Sequence, residues 1–342
     1  VVAPLDIQAL EADGRTGDFL IAKAAYSLRS LGTRQATLAA TGDTVARADG
    51  KFVAQVRRNV NGDVKSFTAD EVTDGTLLSF VNESFTSSLP LDVAGSAAAA
   101  YGLRNLSSSY SGNVVEVRRS SDDTTQNFTA AEITDGTLLS FVGTGGSDDG
   151  FVSTWYDQSG NSNNATQATA ASQPKIVSAG SYLGKITLDD TDDFFNTPIT
   201  PNTTNGFFTI LTEINALYNY NTIFDNDASS NIWEMWSYAS GQVSTRSVDE
   251  DFRLNASSNI TANTKNLITL DYISSRADLY INGTSVASDT SRDIGASSPT
   301  TLNIGAGNSG NTATDGSFYE FIYYDSDQSD KRRAIEESIA TA

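Results

Sequence analysis

The chain has 342 residues, contains neither cysteine nor histidine, and carries a formal net charge of −20 at pH 7. Without cysteine it has no disulfide, thiolate nucleophile or thiolate metal site, and without histidine it lacks the commonest general base and metal ligand. The acidic charge argues against a nucleic-acid partner, because binding to phosphates requires Lys and Arg. Glycoside hydrolysis, which uses paired carboxylates, is therefore the main enzyme class to test.

The sequence carries no signal for insertion into a membrane. No stretch approaches the roughly 18 consecutive apolar residues of a spanning helix, so we expect no membrane insertion. The sequence starts at Val1 without Met and without a basic-then-apolar leader, which fits a processed or trimmed N terminus. Absent cysteines fit an extracellular protein and equally a virion assembled in a cytoplasm. Composition therefore leaves the compartment open.

Two segments of the N-terminal half are copies of each other. Residues 67–81 recur as residues 128–142 with two substitutions, and an arginine pair upstream recurs at the same offset. A duplicated unit explains this pattern. We therefore predict an N-terminal module over residues 1–89, a degenerate repeat of residues 90–142 that serves in docking or assembly. The main domain then covers residues 90–342.

Each copy of the repeat predicts the same short elements. The alanine-rich stretches 22–31 and 97–106 carry Tyr, Leu and Ala on one face, which predicts a short helix in each copy. The alternation of apolar and charged residues at 114–118 predicts a strand whose charged side chains point outward. The Thr-Asp-Gly sequence at 134–136 predicts a turn that leads into another apolar strand.

From Gly150 onward, short apolar runs alternate with turns rich in Asn, Gly, Ser and Asp, which is the pattern of a β-sandwich. Asn282-Gly283 predicts a type I′ hairpin turn, because both residues tolerate positive φ. Residues 329–339 predict one C-terminal helix, with Ser329 as its cap. The strand candidates are residues 151–156, 185–188, 206–214, 222–224, 232–238, 265–273, 277–281, 301–304 and 316–324. These elements predict an all-β chain that ends in a short helix.

Acidic residues cluster at Asp189, Asp190, Asp192 and Asp193. Clustered oxygen atoms are the ligands that calcium prefers, but the spacing of a calcium loop such as the EF-hand is missing. Solvated turns explain the cluster better than an ion does. We therefore predict no metal and no cofactor.

Parts of the sequence resemble known sandwich domains. Residues 279–283 (Leu-Tyr-Ile-Asn-Gly) and 316–324 (Gly-Ser-Phe-Tyr-Glu-Phe-Ile-Tyr-Tyr) resemble the closing strands of concanavalin A-like, laminin-G-type domains. Residues 154–167 (Thr-Trp-Tyr-Asp-Gln-Ser-Gly-Asn-Ser-Asn-Asn-Ala-Thr-Gln) resemble the signature of the α-L-arabinofuranosidase B catalytic domain. The resemblance implies a concanavalin A-like jelly-roll β-sandwich over residues 90–342. The same Trp-Tyr-Asp-Gln-Ser-Gly-Asn pattern is similar to structural proteins of bacteriophages, notably marine ones.

The resemblance also implies that the catalytic acid is missing. The family carries its acid/base Asp in an Ile-Gly-Gly-Asp-Asn-Ser stretch, and residues 304–309 read Ile-Gly-Ala-Gly-Asn-Ser, so Gly307 stands at that position. The family's nucleophilic Glu has only a loose counterpart in residues 249–251. Its adjacent cysteines fall near residues 223–225, which contain none. Because a retaining glycosidase needs two carboxyl groups, we expect no enzyme activity.

Aromatic and polar side chains remain that suit a sugar groove. Trp233, Glu234 and Trp236 lie on one predicted strand, and an alternative interpretation divides the two tryptophans between the core and an outer face. Asp157 has an alternative role in fixing a turn through hydrogen bonds to the backbone. The predicted carbohydrate contacts are Trp155, Asp157, Asn161, Asn164, Trp233, Glu234 and Trp236.

Three functions follow as hypotheses. The first is a non-enzymatic virion structural protein, either a capsid decoration protein or a head or tail fibre subunit on the particle surface. It predicts self-association, as a trimer, contact with other virion proteins such as a capsid protein, and host glycans as further ligands. The alternatives are a secreted carbohydrate-binding adhesin and an active arabinofuranosidase-like hydrolase that uses Glu234, Glu250 or Asp315.

Overall fold

The structure is a computed structural model. It describes residues 54–57, 64–67, 89–143, 146–218, 220–226, 233–247, 252–290, 301–307 and 313–340. The chain divides into two compact units, Val1–Ser87 and Ser88–Ala342. The predicted helix at residues 22–31 and the acidic stretch at 249–251 lie outside the described residues. Among the described helices, none is long and apolar enough to cross a membrane.

The described residues of the first unit form a β-hairpin. Strand β1 (Ala54–Arg57) pairs antiparallel with strand β2 (Val64–Phe67). This pairing places Ala54 opposite Phe67, whose side chain is buried. Both strands belong to the first copy of the repeat.

The second copy of the repeat forms the same hairpin in the second unit. Strand β4 (Asn113–Arg119) pairs with strand β5 (Thr125–Thr129), and Val115 lies opposite Phe128. In the repeat, Val115 corresponds to Ala54 and Phe128 corresponds to Phe67, the pair that lies opposed in β1 and β2. The shared register indicates that the repeated sequence encodes one hairpin, because register follows the side-chain pattern and the turn.

The second unit is almost entirely antiparallel β-structure. Its other strands are β3 (Ala99–Gly102), β6 (Gly150–Trp155), β7 (Ala165–Thr166), β8 (Lys175–Ser178), β9 (Ser181–Asp189), β10 (Phe195–Thr197), β11 (Asn205–Ile214), β12 (Asn221–Asp225), β13 (Trp233–Ser237), β14 (Gln242–Ser247), β15 (Phe252–Asn259), β16 (Lys265–Ile273), β17 (Arg276–Ile281), β18 (Thr284–Asp289), β19 (Leu302–Ile304) and β20 (Asp315–Tyr324). Its α-helices are α1 (Pro90–Ala94), α2 (Ala130–Thr134), α3 (Thr137–Val142) and α4 (Arg332–Ala340). The predicted all-β sandwich with a short C-terminal helix is confirmed.

Two layers of strands enclose the core. One layer, the covered sheet, runs β18–β17–β16–β11–β20–β3 through its paired strands. The other layer, the facing sheet, includes β15–β14–β13–β12–β19–β10. Phe208 of the covered sheet stacks on Phe224 of the facing sheet with ring centres 4.9 Å apart. The two sheets therefore meet across a shared aromatic core.

Helices cover the outer face of the covered sheet. Phe207 and Leu211 of β11 form a second apolar cluster with Ile335 and Ile339 of α4. Strand β11 is consequently buried along nearly its whole length, because alternate side chains face the core and the helix. This explains why apolar residues occupy successive positions at 207–208 and 210–211 and do not alternate strictly with polar ones.

The facing sheet has a different outer surface. On β13, Trp233 and Met235 belong to the main core cluster. Glu234 and Trp236 occupy the alternate positions and point to the other side of the sheet. Alternation along this one strand therefore separates the core side chains from those of the outer face, where Glu234 is half-buried and Trp236 is 3% exposed.

Two turn and helix predictions of the C-terminal region are confirmed in outline. Asn282 and Gly283 join β17 to β18 with positive φ angles of 51° and 76°, as a type I′ turn requires. The C-terminal helix is present, but it begins at Arg332 and Ser329 does not cap it. Instead, the Ser329 N–H donates to the Asp327 carboxylate at 2.9 Å, in a separate turn ahead of the helix.

Two other predicted elements are wrong. Residues 97–106 contain strand β3 in place of a helix, because β3 pairs with β20 and is buried throughout. Sheet pairing outweighs the intrinsic helix preference of so short an alanine-rich stretch. The turn at 134–136 leads into helix α3 and not into a strand. The helix before that turn begins with a capping box between Thr129 and Glu132, a signal present in the sequence.

Candidate functional site

The segment after β6 uses its side chains to hold the neighbouring backbone. Asp157 Oδ1 accepts hydrogen bonds from the N–H groups of Ala100 and Ser159, each at 2.9 Å. Gln158 Oε1 accepts a hydrogen bond from the Leu106 N–H at 2.8 Å. These bonds confirm the interpretation of Asp157 as a residue that fixes a turn, and Gln158 has a similar role.

The asparagines of this segment have similar roles. Asn161 Nδ2 donates to the backbone oxygen of Ala97 at 2.9 Å. Asn164 Oδ1 accepts from the Asp157 N–H at 3.1 Å. We call residues 157–164 the clamp, because they tie the loop after β6 to strand β3. Asp157, Asn161 and Asn164, which the sequence predicted as sugar contacts, therefore belong to a structural clamp. Their predicted role is corrected accordingly.

Two of the three predicted tryptophan contacts lie in the core. Trp155 is 0% exposed and packs near Tyr101, with ring centres 5.5 Å apart. Trp233 is 1% exposed, and its ring centre lies 5.1 Å from that of Tyr272. Neither indole has a face open to solvent, so neither can stack on a sugar in this structure. Both assignments are corrected for this reason, and the alternative interpretation of Trp233 as a core residue holds.

Trp236 lies on the outer face of the facing sheet, within a group of aromatic rings. Its ring stacks with that of Tyr220 at 6.2 Å between centres and 26° between planes. Tyr238 meets the same indole edge-on at 5.8 Å. Tyr220 is 54% exposed and, at φ 71°, adopts a backbone conformation that is uncommon outside glycine. The outermost ring of the group is therefore that of Tyr220. Trp236, at 3% exposure, supports that ring from below, and its predicted role as a direct sugar contact is corrected for the same reason as that of the other two tryptophans.

Two arginines border these rings. Arg246 and Arg253 lie directly opposite each other on β14 and β15. Their guanidinium carbons lie 5.8 Å and 5.6 Å from the centre of the Trp236 ring, within cation–π range. Arg246 Nε forms an ion pair with Glu234 Oε1, and Arg253 donates to the Tyr238 hydroxyl at 3.0 Å. Positive charge and exposed aromatic surface thus occur side by side.

We call this group the aromatic–arginine patch. Its members are Tyr220, Glu234, Trp236, Tyr238, Arg246 and Arg253. Rigid rings provide contact area at low entropic cost, and guanidinium groups provide several donors in a fixed plane. Sequence analysis found Glu234 and Trp236 but missed the other members, which come from a turn and from two neighbouring strands. The Tyr-x-Tyr sequence ahead of β12 was the available signal for Tyr220.

The structure describes Gly307, the residue that the resemblance places at the position of the catalytic acid. Gly307 follows β19 and is buried, and it offers no side chain to donate a proton. Strand β19 places Asn303 opposite Asp225 of β12. The loose counterpart of the nucleophile at residues 249–251, which includes Glu250, lies outside the described residues.

Two acidic residues of β20, the candidate Asp315 and Glu320, have partners within the chain. Asp315 Oδ1 accepts a hydrogen bond from Asn215 Nδ2 at 2.9 Å. Glu320, further along β20, is 3% exposed and forms an ion pair with Arg104 at 2.6 Å. Burial raises the pKa of Glu320, and the guanidinium of Arg104 acts in the opposite direction.

The acidic turn after β9 brings three carboxylates together. Oxygen atoms of Asp189, Asp192 and Asp193 all lie within 4.8 Å of one another. Burial, followed by the charges of Asp189 and Asp192, raises the pKa of Asp193 to about 7. A proton on Asp193 relieves part of the repulsion without an ion. The absence of a metal from this cluster stays a prediction.

Comparisons with known proteins identify related folds. No family model and no curated protein sequence matches the chain. Solved structures that match include a GH54 α-L-arabinofuranosidase soaked with a cyclic sulfate inhibitor, at 16% identity and a TM-score of 0.56. A glutamate-to-glutamine mutant soaked with 4-nitrophenyl α-L-arabinofuranoside matches at 16% and 0.57, and an arabinofuranosidase complexed with arabinofuranosyl-α-1,2-xylobiose at 17% and 0.55. Each alignment covers 73% of this chain and 64% of the other. This similarity shows a common β-sandwich fold.

Proposed function

We propose that the chain is a non-enzymatic structural protein on the surface of a virion, and that its sandwich binds carbohydrate through the aromatic–arginine patch. The observation that carries the binding proposal is the solvent-facing ring of Tyr220, which stacks on Trp236 beside the guanidinium groups of Arg246 and Arg253. Such a surface suits the apolar face and the hydroxyl groups of a sugar ring. The solved structures with a similar fold carry arabinose-containing ligands by their descriptions, which supports a saccharide as the ligand.

The non-enzymatic part of the proposal depends on Gly307. Cleavage of a glycosidic bond requires one carboxyl group to protonate the leaving oxygen and a second on the other side of the bond. Glycine stands where the resembled family has that acid. Glu234, a candidate for the other role, forms an ion pair with Arg246. Binding without turnover is therefore the expected behaviour.

The virion part of the proposal depends on the phage-like sequence pattern and on the duplicated hairpin. A duplicated module can contact more than one neighbour in a symmetric assembly. The net charge of −20 favours a soluble, mutually repelling particle surface. We expect a trimer or a larger symmetric assembly with a capsid protein among its partners. Light scattering coupled to electron microscopy tests this, and a strict monomer that is absent from purified particles would contradict it.

A glycan array tests the binding proposal. We expect the wild-type protein to bind a subset of glycans, and Tyr220→Ala to lose at least about tenfold in affinity, because the solvent-facing ring is removed. Tyr182→Ala is the matched control, since Tyr182 is also exposed, at 37%, and lies outside the patch. Absence of any signal at high protein concentration, or equal binding by both variants and the wild type, would refute the proposed site.

The same purified protein can be used to distinguish the two alternative functions, a secreted adhesin and an active hydrolase. A secreted adhesin would bind glycans through the same patch but would be monomeric and absent from particles. An active hydrolase would release 4-nitrophenol from 4-nitrophenyl α-L-arabinofuranoside, and Glu234→Gln or Asp315→Asn would abolish that release. We expect no release above the rate without protein.

A further inference from the structure

The strand pairing of the facing sheet continues beyond β10 into the second copy of the repeat. Asn196 of β10 lies opposite Thr166 of β7, and Thr166 lies opposite Thr154 of β6. Thr154 in turn lies opposite Glu116 of β4, which lies opposite Asn127 of β5. One residue from each of these strands therefore occupies the same level across the sheet. We call this set the polar row, and its members are Asn127, Glu116, Thr154, Thr166 and Asn196.

The members of the polar row face away from the core. Each has a neighbour in the chain that belongs to the main core cluster, as Phe195 does beside Asn196. Because side chains alternate along a strand, the row lies on the outer face of the sheet. Every member lies inside a described stretch of the chain. The exposed members are Asn127, Thr166 and Asn196, and the other two are half-buried.

Part of the polar row leaves its hydrogen-bonding groups available. Among the described residues, the side chains of Thr154, Thr166 and Asn196 form no hydrogen bond. A hydroxyl or an amide group can both donate and accept, which matches the hydroxyl groups of a sugar. These side chains therefore present free donors and acceptors on three adjacent strands.

The neighbouring level of the same face has a different composition. There Arg118 and Lys175 both lie against the ring of Phe151, at 4.9 Å and 5.4 Å from its centre. Arg118 binds the carboxylate of Asp123 at 2.8 Å, and Lys175 binds that of Asp149 at 2.7 Å. Mixed charges of this kind are the usual composition of a protein surface. The polar row has one acidic and no basic member, so it suits a neutral ligand.

An aromatic ring lies at one end of the polar row. The hydroxyl of the half-buried Tyr156 donates to Asn127 Oδ1 at 2.8 Å. Burial, followed by the charge of Glu116, raises the pKa of Tyr156. Ser153 Oγ donates to Glu116 Oε1 at 2.6 Å, which holds this carboxylate in place and leaves it further acceptor capacity. A ring beside a fixed acceptor can contact the apolar face of a sugar while the acceptor binds its hydroxyl groups.

We infer that the polar row is a second carbohydrate surface, which binds a neutral oligosaccharide whose chain crosses the strands from Tyr156 toward Asn196. Adjacent strands lie about 4.8 Å apart, so the row spans about 19 Å from Asn127 to Asn196. A sugar unit in an extended glycan is comparable in length with one such step, so each strand can bind one unit. This inference rests on the proposed carbohydrate-binding function, and it adds a surface that shares no residue with the patch.

A second copy of this chain is the alternative occupant of the row. It is disfavoured, because the centres of protein interfaces are enriched in Trp, Tyr and Arg, and the polar row contains none of them. Each copy also carries a net charge of −20. Light scattering on the variants below tests this occupant. Loss of self-association without any loss of saccharide binding would overturn the inference.

The probes are neutral 1,4-linked gluco-, manno- and xylo-oligosaccharides, from the disaccharide to the hexasaccharide. Isothermal titration of the whole chain should show an affinity for at least one series that rises with length. We expect about fivefold for each added unit along the row, because each unit adds about one hydrogen bond. Raising the salt from about 50 to 500 mM should leave this binding unchanged, since the ligand carries no charge.

Two double variants locate the site. Thr166→Val/Asn196→Ala removes two hydrogen-bonding side chains and should weaken binding of the hexasaccharide by at least about tenfold. The matched control is Thr284→Val/Ser288→Ala, which changes two exposed residues of β18 in the covered sheet and should bind as the wild type does. Because all four positions are exposed, both variants should fold, and their urea midpoints check this.

Tyr220→Ala separates this inference from the proposed patch. Hexasaccharide binding that survives in Tyr220→Ala and falls in Thr166→Val/Asn196→Ala supports the polar row. Binding that falls in Tyr220→Ala and is unchanged in Thr166→Val/Asn196→Ala overturns the inference and leaves the patch intact. Affinity that is independent of length, or that falls with salt, also overturns it. Absence of binding to every saccharide refutes the proposed carbohydrate-binding function itself.

Discussion

The clamp at residues 157–164 and the aromatic–arginine patch began as one predicted sugar site and have opposite roles in the structure. Each contains a carboxylate that lies two residues from a tryptophan in the sequence. In the clamp, Asp157 binds backbone N–H groups and the neighbouring Trp155 is fully buried. In the patch, Glu234 pairs with a guanidinium and Trp236 supports an exposed tyrosine.

The difference teaches that residue type does not separate a binding surface from a structural motif. The clamp residues are polar, but their polar atoms already have partners within the chain. The patch residues are partly apolar, yet they leave donors and a ring face to solvent. A variant series that measures stability and ligand binding together can therefore separate the two regions.

The largest effect is expected from Trp155→Ala, which removes a core side chain beside Tyr101. We expect a loss of about 3–5 kcal/mol in the free energy of unfolding, because a large cavity replaces the indole. Urea unfolding followed by tyrosine fluorescence measures it. A loss below 1 kcal/mol would mean that Trp155 is not a core residue, and it would restore this tryptophan as a candidate ligand contact.

Asp157→Ala should destabilise the protein by about 3 kcal/mol. The substitution removes the acceptor for several N–H groups, including that of buried Ala100, and leaves those donors without partners. The control is Asp123→Asn, which breaks an exposed ion pair with Arg118, keeps a residue that tolerates the positive φ of 59° at this position, and should cost less than about 1 kcal/mol. Thermal unfolding of the two variants in parallel gives the comparison. Similar losses in both would argue against the clamp.

Asp271 provides a contrast with Asp157, because it is a buried carboxylate that does not accept a comparable set of backbone hydrogen bonds. Burial raises its pKa to about 7, although Arg276 lies 3.4 Å away and acts in the opposite direction. The folded state therefore holds this proton more tightly than the unfolded chain, whose pKa is near 3.8, and the contribution to stability falls as pH rises through that window.

The corresponding variant is Asp271→Asn. The shift from 3.8 to about 7 corresponds to at most about 4 kcal/mol, and we expect about 2 kcal/mol because buried sites relax and admit water. Asp271→Asn should be more stable than the wild type at pH 8 and equal to it near pH 4. Urea midpoints across this pH range check the sign. A constant difference between the two proteins at all pH values would contradict the raised pKa.

The smallest effect on stability is expected from Tyr220→Ala. Its ring is more than half exposed, so we expect a loss below about 0.5 kcal/mol in the free energy of unfolding. This variant should nevertheless be the one that loses glycan binding. A large fall in stability would place Tyr220 with the clamp residues and remove the main support for the patch.

Sequence patterns predicted most of the fold and part of the candidate site. The strands and the Asn282-Gly283 turn could be predicted, because they depend on the alternation of apolar and polar residues and on turn residues that are close in sequence. Strand β3 was mistaken for a helix, because its partner β20 lies more than 200 residues away in the chain. Helix α3 was mistaken for a strand, because a six-residue apolar run does not define its own periodicity.

The sequence by itself determined the all-β class, the repeated hairpin and the absence of an acidic side chain at Gly307. These features depend on residue identity and on neighbours a few positions away. Only the tertiary structure decided which tryptophans are buried. It also decided that Asp157 binds backbone N–H groups and that Tyr220 and Arg253 lie next to Trp236. Those outcomes depend on strand register and on pairing between distant segments, because a sheet places side chains from separate strands on one face and hides alternate residues in the core.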